Sequence, residues 1–413
     1  MDLSTLTDLA PQRQTHKKGA FPSPQHETLG NVTSAHMDQN LYGNASYEEN
    51  GRQYHEFRRG IYMYPCDEAE QDRLDIFHRM LLAARRTLHS VPISNALPPM
   101  GNLRSGPPSA VDQGPRILDL GCGTGIWALD MAAQYPHAYV LGIDLTAMQP
   151  REHPPNCNFL APRDFESPWS FGEEPWDMIH LQMGCGSVSN WPSLYQKVIQ
   201  HLRPGTGYFE QVEVDFEPRC HDELPDQPLT RWYKNLKDAT NEANRPIAHN
   251  RSTTHMLKEA GFVDTKHDMV GLPLNTWPDD KYEKDVGKWH SFAFSKSIYA
   301  LILAPLFRVK HWTVEEIDSL AQETFGARRS ELVIFLVQRS LPSRDSGGPS
   351  DPLLAQKLRW PLSSRWSGGL VIKFETLYIS RFLRRIRNIG RGRTMQIKLQ
   401  PEILSLWSTS KQD

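Results

Sequence analysis

Three absences narrow this 413-residue chain before any motif is read. Its five cysteines, at 66, 122, 157, 185 and 220, are scattered, without the close spacing of a zinc site or the repeat of a disulfide frame. They read as reduced thiols of an intracellular protein, and no metal is expected. Net charge is also missing: 46 Lys and Arg stand against 48 Asp and Glu, so nothing electrostatic argues for direct nucleic-acid binding. Nor is there an apolar run of the roughly 18 residues that cross a bilayer. Ser297–Ala304 comes nearest and is interrupted by Pro305, and the polar first thirty residues hold no apolar signal core. Secreted and membrane-embedded classes are disfavoured.

What is present centres on Ile117–Gly125, Ile-Leu-Asp-Leu-Gly-Cys-Gly-Thr-Gly. Ile117 and Leu118 read as a buried strand, and the turn after Asp119 has glycine at 121, 123 and 125, where backbone must bend or approach a ligand without a Cβ. Trp127–Tyr135 then shows helical spacing of apolar residues. Strand, glycine turn and helix form the first half of a nucleotide-binding βαβ unit. The dinucleotide fingerprint G-x-G-x-x-G fits poorly. The third glycine comes one residue early, and Ile126 stands where a dehydrogenase has glycine. The carboxylate of Asp119 would repel a pyrophosphate but accept a hydrogen bond from an ammonium. That suits S-adenosylmethionine, and the run resembles motif I of the class I methyltransferases.

Further acids follow the strand rhythm. Tyr139–Asp144 is an apolar run whose terminal Asp144, followed by Leu145, takes the place of the ribose ligand of a βαβ unit. Cys157–Leu160 leads to Asp164, a candidate for the adenine amino group; a surface turn explains that aspartate as well. Trp176–Leu181 and Tyr208–Val214 are further strands, with a helix from Pro192 to Leu202 between them. The alternation predicts an open, mainly parallel sheet of the seven-stranded type, helices on both faces, with its ligand site beyond the carboxyl ends of the strands. The candidate cofactor-binding residues are therefore Asp119, Gly121, Cys122, Gly123, Gly125, Asp144, Leu145, Asp164 and Met183, with Tyr62 from an aromatic segment that could fold over the site. Tyr54 is a second candidate cover, and Trp191 with Met183 could line the methyl channel. No catalytic base is evident; His55, His180 and His290 are each imaginable.

Residues 1–50 lack a periodic apolar pattern and read as disordered, 51–340 as the methyltransferase domain, and 341–413 as an atypical, disordered tail. An acid-rich helix starts at Asp67 with Leu74, Phe77, Leu81 and Leu82 inward, and 90–115 reads as a long loop. Thr230–Ala243 and Ser252–Ala260 are further helices, the latter with Ser252 as N-cap and Gly261 as stop; Thr313 and Glu316 form a capping box. Trp289, Phe292, Phe294 and Tyr299 could make an acceptor pocket or a docking face.

The phrase Gly60-Ile-Tyr-Met-Tyr-Pro-Cys-Asp-Glu68, with Arg73-Leu-Asp75, motif I through Trp127, Trp176–His180 and Tyr208–Gln211, resembles the LaeA-type fungal methyltransferases over about residues 47–325. The resemblance implies a class I, Rossmann-like fold, S-adenosylmethionine as cofactor, and velvet-family proteins as partners. It also implies a regulatory role in secondary metabolism and development, placed in the nucleus with the cytoplasm as a second compartment. Two features depart from that pattern. Arg163-Asp164 stands where relatives carry two acids, leaving only Asp164 for adenine, and the likeness fades after about Gly326. Leu332–Val337 could replace the missing edge strand, and the Arg-rich stretch 381–393 suits a nuclear signal, a nucleic-acid patch or a non-native tail alike. The rival readings are a small-molecule natural-product methyltransferase and a non-catalytic scaffold on the same fold. The methyl acceptor is not legible.

Overall fold

The computed structural model describes residues 45–93, 114–172, 174–219, 227–327 and 333–343. The predicted disorder of 1–44, the tail after 343, most of the 90–115 loop and Cys220 lie outside these residues.

Order begins earlier than Gly51. Strands β1 (Ser46–Glu49) and β2 (Arg52–His55) pair antiparallel around Asn50-Gly51, whose φ angles are 50° and 72°. Asn-Gly is the favoured pair for a two-residue turn with both φ positive, because that turn's twist matches the strands it joins. Helix α1 (Glu68–Arg85) starts at Asp67, whose carboxylate accepts from the Glu70 amide and from Arg52. Phe77 and Leu81 are buried as expected, whereas Leu74 and Leu82 are only partly so.

The main sheet holds β3 (Arg116–Leu120), β4 (Tyr139–Ile143), β5 (Cys157–Leu160), β6 (Met178–Gln182), β7 (Tyr208–Arg219), β8 (Lys266–Pro273) and β9 (Val333–Pro342). Their order is β5-β4-β3-β6-β7-β9-β8, with β9 alone running antiparallel to its neighbours. This is the mainly parallel, seven-stranded sheet that the sequence predicts. Period-two alternation builds both faces. Ile117, Val140 and Met178 pack under α2 (Ile126–Gln134), while Leu118, Leu120, Ile179 and Leu181 pack under α3 (Trp191–His201) and α5 (Thr253–Ala260). Asn190 caps α3 with Pro192 in its first turn, as the missing proline amide allows.

Some expectations change and others hold. The apolar run around 332–337 does not close an edge: β9 lies between β7 and β8 and pairs with both. The apolar run at 297–304 belongs to a much longer element: α6 runs unbroken from Lys281 to Arg308 with Pro305 inside it. It is the one described helix long and apolar enough to cross a membrane, but Phe294, Ile298, Leu301 and Leu303 are buried in the core with α4 (Pro228–Glu242) and α7 (Val314–Ala327). Ser252 stands at the N-cap of α5 and Gly261 ends it at a φ of 107°, as expected, but the Ser252 side chain makes no capping bond and Asn250 accepts from the Ser252 amide. Phe294 sits wholly inside the core against Trp232. The Thr313–Glu316 box forms in both directions, at 2.8 and 3.2 Å.

Candidate functional site

Beyond the carboxyl ends of β3, β4 and β6 opens a cleft of about 1090 Å³, space at its mouth included. The glycine turn makes its floor. Gly121, Gly123 and Gly125 have φ of 68°, 54° and 77°, a left-handed run that side chains resist. A Cβ on Gly125 would lie 2.6 Å from the Phe159 ring, so glycine there is needed for packing as well. Asp144 ties the turn to β4: its carboxylate accepts from the Gly123 amide and the Thr146 amide, both at 2.8 Å. Gln149 adds a bond to the Gly123 carbonyl, and Thr124 donates to Asp75 of α1 at 2.6 Å. Burial raises the Asp144 carboxyl to about 6, against the pull of those amides and with help from nearby Asp119.

Of the ten candidate cofactor residues, Tyr62, Gly121, Gly123, Asp144, Leu145, Asp164 and Met183 border this cleft. Asp119, Cys122 and Gly125 do not. Asp119 is a correction to the sequence reading: its carboxylate turns into the core and bonds His180 Nδ1 at 3.0 Å. The register explains this. Asp119 pairs with His180 and His180 with Glu210, so three polar residues form a row across β3, β6 and β7 on one face. Trp127 stacks flat on the His180 ring at 3.7 Å, and Arg85 closes the row on Glu210 at 2.8 Å. Burial pushes the Asp119 carboxyl well up and the His180 imidazole down to about 3, which favours a neutral pair. Cys122 is likewise packed inward, against Gly142.

Asp164 reaches the cleft already engaged: one oxygen accepts from the Glu166 amide at 2.6 Å, and the other pairs with Arg58. Arg58 also donates to Ser167, at 2.7 Å, and so lies across that end of the cleft. Two more charged pairs border it. Glu70 and Arg73, both nearly inaccessible, form a two-pronged bond at 2.6 and 2.9 Å. Arg245 pairs with Glu166 at 2.8 Å, which in turn receives the Ser189 amide at the entry to α3. Met183, Phe216, Ile247 and Leu301 form an apolar part of the wall. Met183 has a φ of 59°, rare for a methionine, and its turn is held by Glu213, which accepts from the Gly184 and Cys185 amides.

Tyr54, Trp191 and His290 take no part in the cleft. Tyr54 stacks with Tyr47 in a small cluster, Trp191 packs on Tyr195, and His290 donates to the Pro273 carbonyl at 2.9 Å. Leu301 is the α6 residue on the cleft wall; Trp289, Phe292 and Tyr299 pack at the core's margin instead. Arg58, Glu70, Arg73, Glu166 and Arg245 were missed because their partners are distant in sequence or ordinary on a helix surface. The Glu70–Arg73 spacing of three along a helix was the one readable signal.

The residues fit an S-adenosylmethionine site. A tight amide-rich turn adjoins a strand-end carboxylate with lone pairs to spare, beside aromatic and apolar walls, in a concave cleft of the kind that takes small ligands. No cluster able to hold a metal occurs among the described residues.

Comparison with known proteins agrees. A family described as "Methyltransferase domain" matches residues 96–267. The secondary metabolism regulator laeA of Aspergillus flavus is 53% identical over 279 residues, 67% of this chain and 71% of that one. The secondary metabolism regulator LAE1 of Cochliobolus heterostrophus is 52% identical over 272 residues, 65% and 84% of the two chains. The protein-methionine methyltransferase laeA of Emericella nidulans is 48% identical over 325 residues, 78% and 82%. Among solved structures, phosphoethanolamine N-methyltransferase 2 of Haemonchus contortus with S-adenosyl-L-methionine aligns with a TM-score of 0.34 at 14% identity, covering 56% of this chain and 49% of that one.

Proposed function

The chain belongs to the LaeA family, S-adenosylmethionine-dependent methyltransferases, and on that premise we propose that it methylates a methionine thioether in a protein acceptor and so regulates secondary metabolism. We further propose that it does this in the nucleus together with velvet-family proteins. The regulatory part rests on family membership alone, and the thioether acceptor draws on the name carried by the Emericella nidulans relative.

One observation in the cleft carries the acceptor reading. The carboxylates on its wall other than Asp144 are each held by a cation: Glu70 by Arg73, Glu166 by Arg245 and Asp164 by Arg58. A carboxylate whose oxygens are engaged by a guanidinium is poorly placed to take a proton from an acceptor. A thioether needs none, because it attacks with a lone pair and has no proton to lose. The donor supplies a methyl on a sulfonium; the new carbon–sulfur bond forms as the old one breaks, and the positive charge passes to the acceptor sulfur. The apolar wall of Met183, Phe216, Ile247 and Leu301 suits an uncharged side chain entering and excludes water around it.

Of the chain's own residues, Asp144 is assigned the ribose hydroxyls, the turn at Gly121–Gly123 the amino-acid end, and Leu145 with Phe165 the faces of the base. Asp164 lies at the base's edge, where its carboxylate is shared with Arg58. Asp119, Cys122 and Gly125 support the turn from behind.

Incubating the full chain with methyl-labelled donor and a fungal nuclear extract, followed by residue-level mass spectrometry, tests the acceptor. S-methylmethionine in a protein is expected; label confined to lysine, arginine or a small metabolite would overturn it. Copurification from nuclei with a tagged velvet-domain protein tests the partnership, and its absence would count against it.

A further inference from the structure

Two residues that line the cleft each carry a buried polar atom with no partner among the described residues: His55 Nε2 and Tyr64 Oη. Both residues are at most 5% exposed. A buried polar atom left unsatisfied costs about 1–3 kcal/mol, so each such atom calls for an explanation. The two come from the same stretch, β2 and the segment leading to α1, and not from the glycine turn or the strand-end acids. Rings connect them: His55 lies 5.4 Å from Tyr62, and Tyr62 meets Tyr64 edge-on at 5.3 Å.

Their chemistry is defined. His55 Nδ1 is 2.6 Å from the Phe57 carbonyl oxygen, which can only accept, so the ring proton sits on Nδ1 and Nε2 presents a lone pair. Burial, with Arg308 nearby, lowers the His55 imidazole below its usual range, consistent with the neutral ring. Tyr64 keeps a hydroxyl that can donate. Gly186 makes room for it: a Cβ there would lie 2.3 Å from Tyr64 Oη. Tyr64 lines the cleft together with Glu70, Arg73 and Cys185.

We propose that His55 and Tyr64 receive the main chain of the methyl acceptor, His55 Nε2 accepting a peptide N–H and Tyr64 Oη donating to a peptide carbonyl. This rests on the thioether reading: a methionine side chain has no hydrogen to donate, and the nearest donors such an acceptor carries are the peptide N–H groups on either side of it. His55 is then an acceptor-binding residue and not a base, since no proton leaves in the transfer.

The test uses the full chain saturated with S-adenosylhomocysteine, and N-acetylmethionine methylamide as probe, which carries one thioether between two peptide groups. In the wild type, the ¹⁵N resonance of His55 Nε2 should move on adding the probe, away from the position of a free lone pair. His55→Phe should weaken probe binding about tenfold, as loss of one buried hydrogen bond does. Tyr64→Phe should weaken it by a similar factor, with S-adenosylhomocysteine affinity little changed in either variant. Probe binding with a still resonance and unaffected variants would overturn this assignment while leaving the thioether reading intact. No probe binding by the wild type would overturn that reading and this inference together. Loss of S-adenosylhomocysteine affinity in both folded variants would place the two groups in the donor site and also overturn it. The resonance measurement needs no variant, so a failure of His55→Phe to fold does not remove the test.

Discussion

Asp144 ties the glycine turn to β4 and, by assignment, the turn to its ligand. Its folded value of about 6 lies above the ordinary 3.8, so over that interval the folded chain holds a proton that the unfolded chain has released. Stability from this group is therefore full below 3.8 and lost as pH rises through about 6. Thermal melts of the ligand-free chain across this window should show that loss, and Asp144→Asn should flatten it. An equal slope in both chains would remove Asp144 as its source. Asp119 makes a different prediction. Asp119→Ala strands a buried imidazole, which costs about 1–3 kcal/mol. Its melting temperature should fall even without ligand; a selective loss of ligand affinity at unchanged stability would show that Asp119 faces the cleft after all. The spacing in D-x-G-x-G-x-G located both acids in the chain. It could not tell which way Asp119 points, because that depends on a register partner sixty-one residues away at His180.

Among the elements, the strands of the βαβ core and α2 to α4 were legible within a few residues, since each carries its own apolar period and turn signals. Three features were not. The β1–β2 hairpin hides in a polar stretch and announces itself only through Asn50-Gly51. The position of β9 inside the sheet is a matter of long-range pairing, invisible in a local apolar run. The length of α6 is the third: only the apolar run 297–304 stood out in sequence, whereas Pro305 sits in the last turn of a long packed helix. Leu336 is fully buried where β9 meets β7 and β8, so Leu336→Ala should destabilise the chain by about 2–5 kcal/mol in denaturant melts. A change within error would mean that β9 does not hold the sheet together. Gly186 tests the turn after β6. With a φ of 84° and the Tyr64 hydroxyl in the way, Gly186→Ala should cost on the order of 1–3 kcal/mol. Part of that should return in the double variant with Tyr64→Phe; strict additivity would show that the two do not touch.

For the molecule as a whole, the cleft is a joint product. The sheet supplies the turn and the strand-end acids, and residues 55–74 supply the opposing polar and aromatic groups. The first half follows a general βαβ plan and could be read from spacing. The second half is specific to this family and needed the tertiary arrangement, because His55, Tyr64, Arg58 and Arg73 act through partners that no local pattern reveals. The methyl acceptor lies further out still, in chemistry that only the assembled walls suggest. Calorimetric titration of S-adenosylhomocysteine into the wild type and Asp144→Ala compares the assigned donor site with and without the carboxylate that anchors it. One ligand per chain is expected in the wild type, with affinity at least about tenfold weaker in the variant, in line with loss of a charged hydrogen bond; equal affinity in a folded variant, or no binding by the wild type, would contradict the assignment of this cleft.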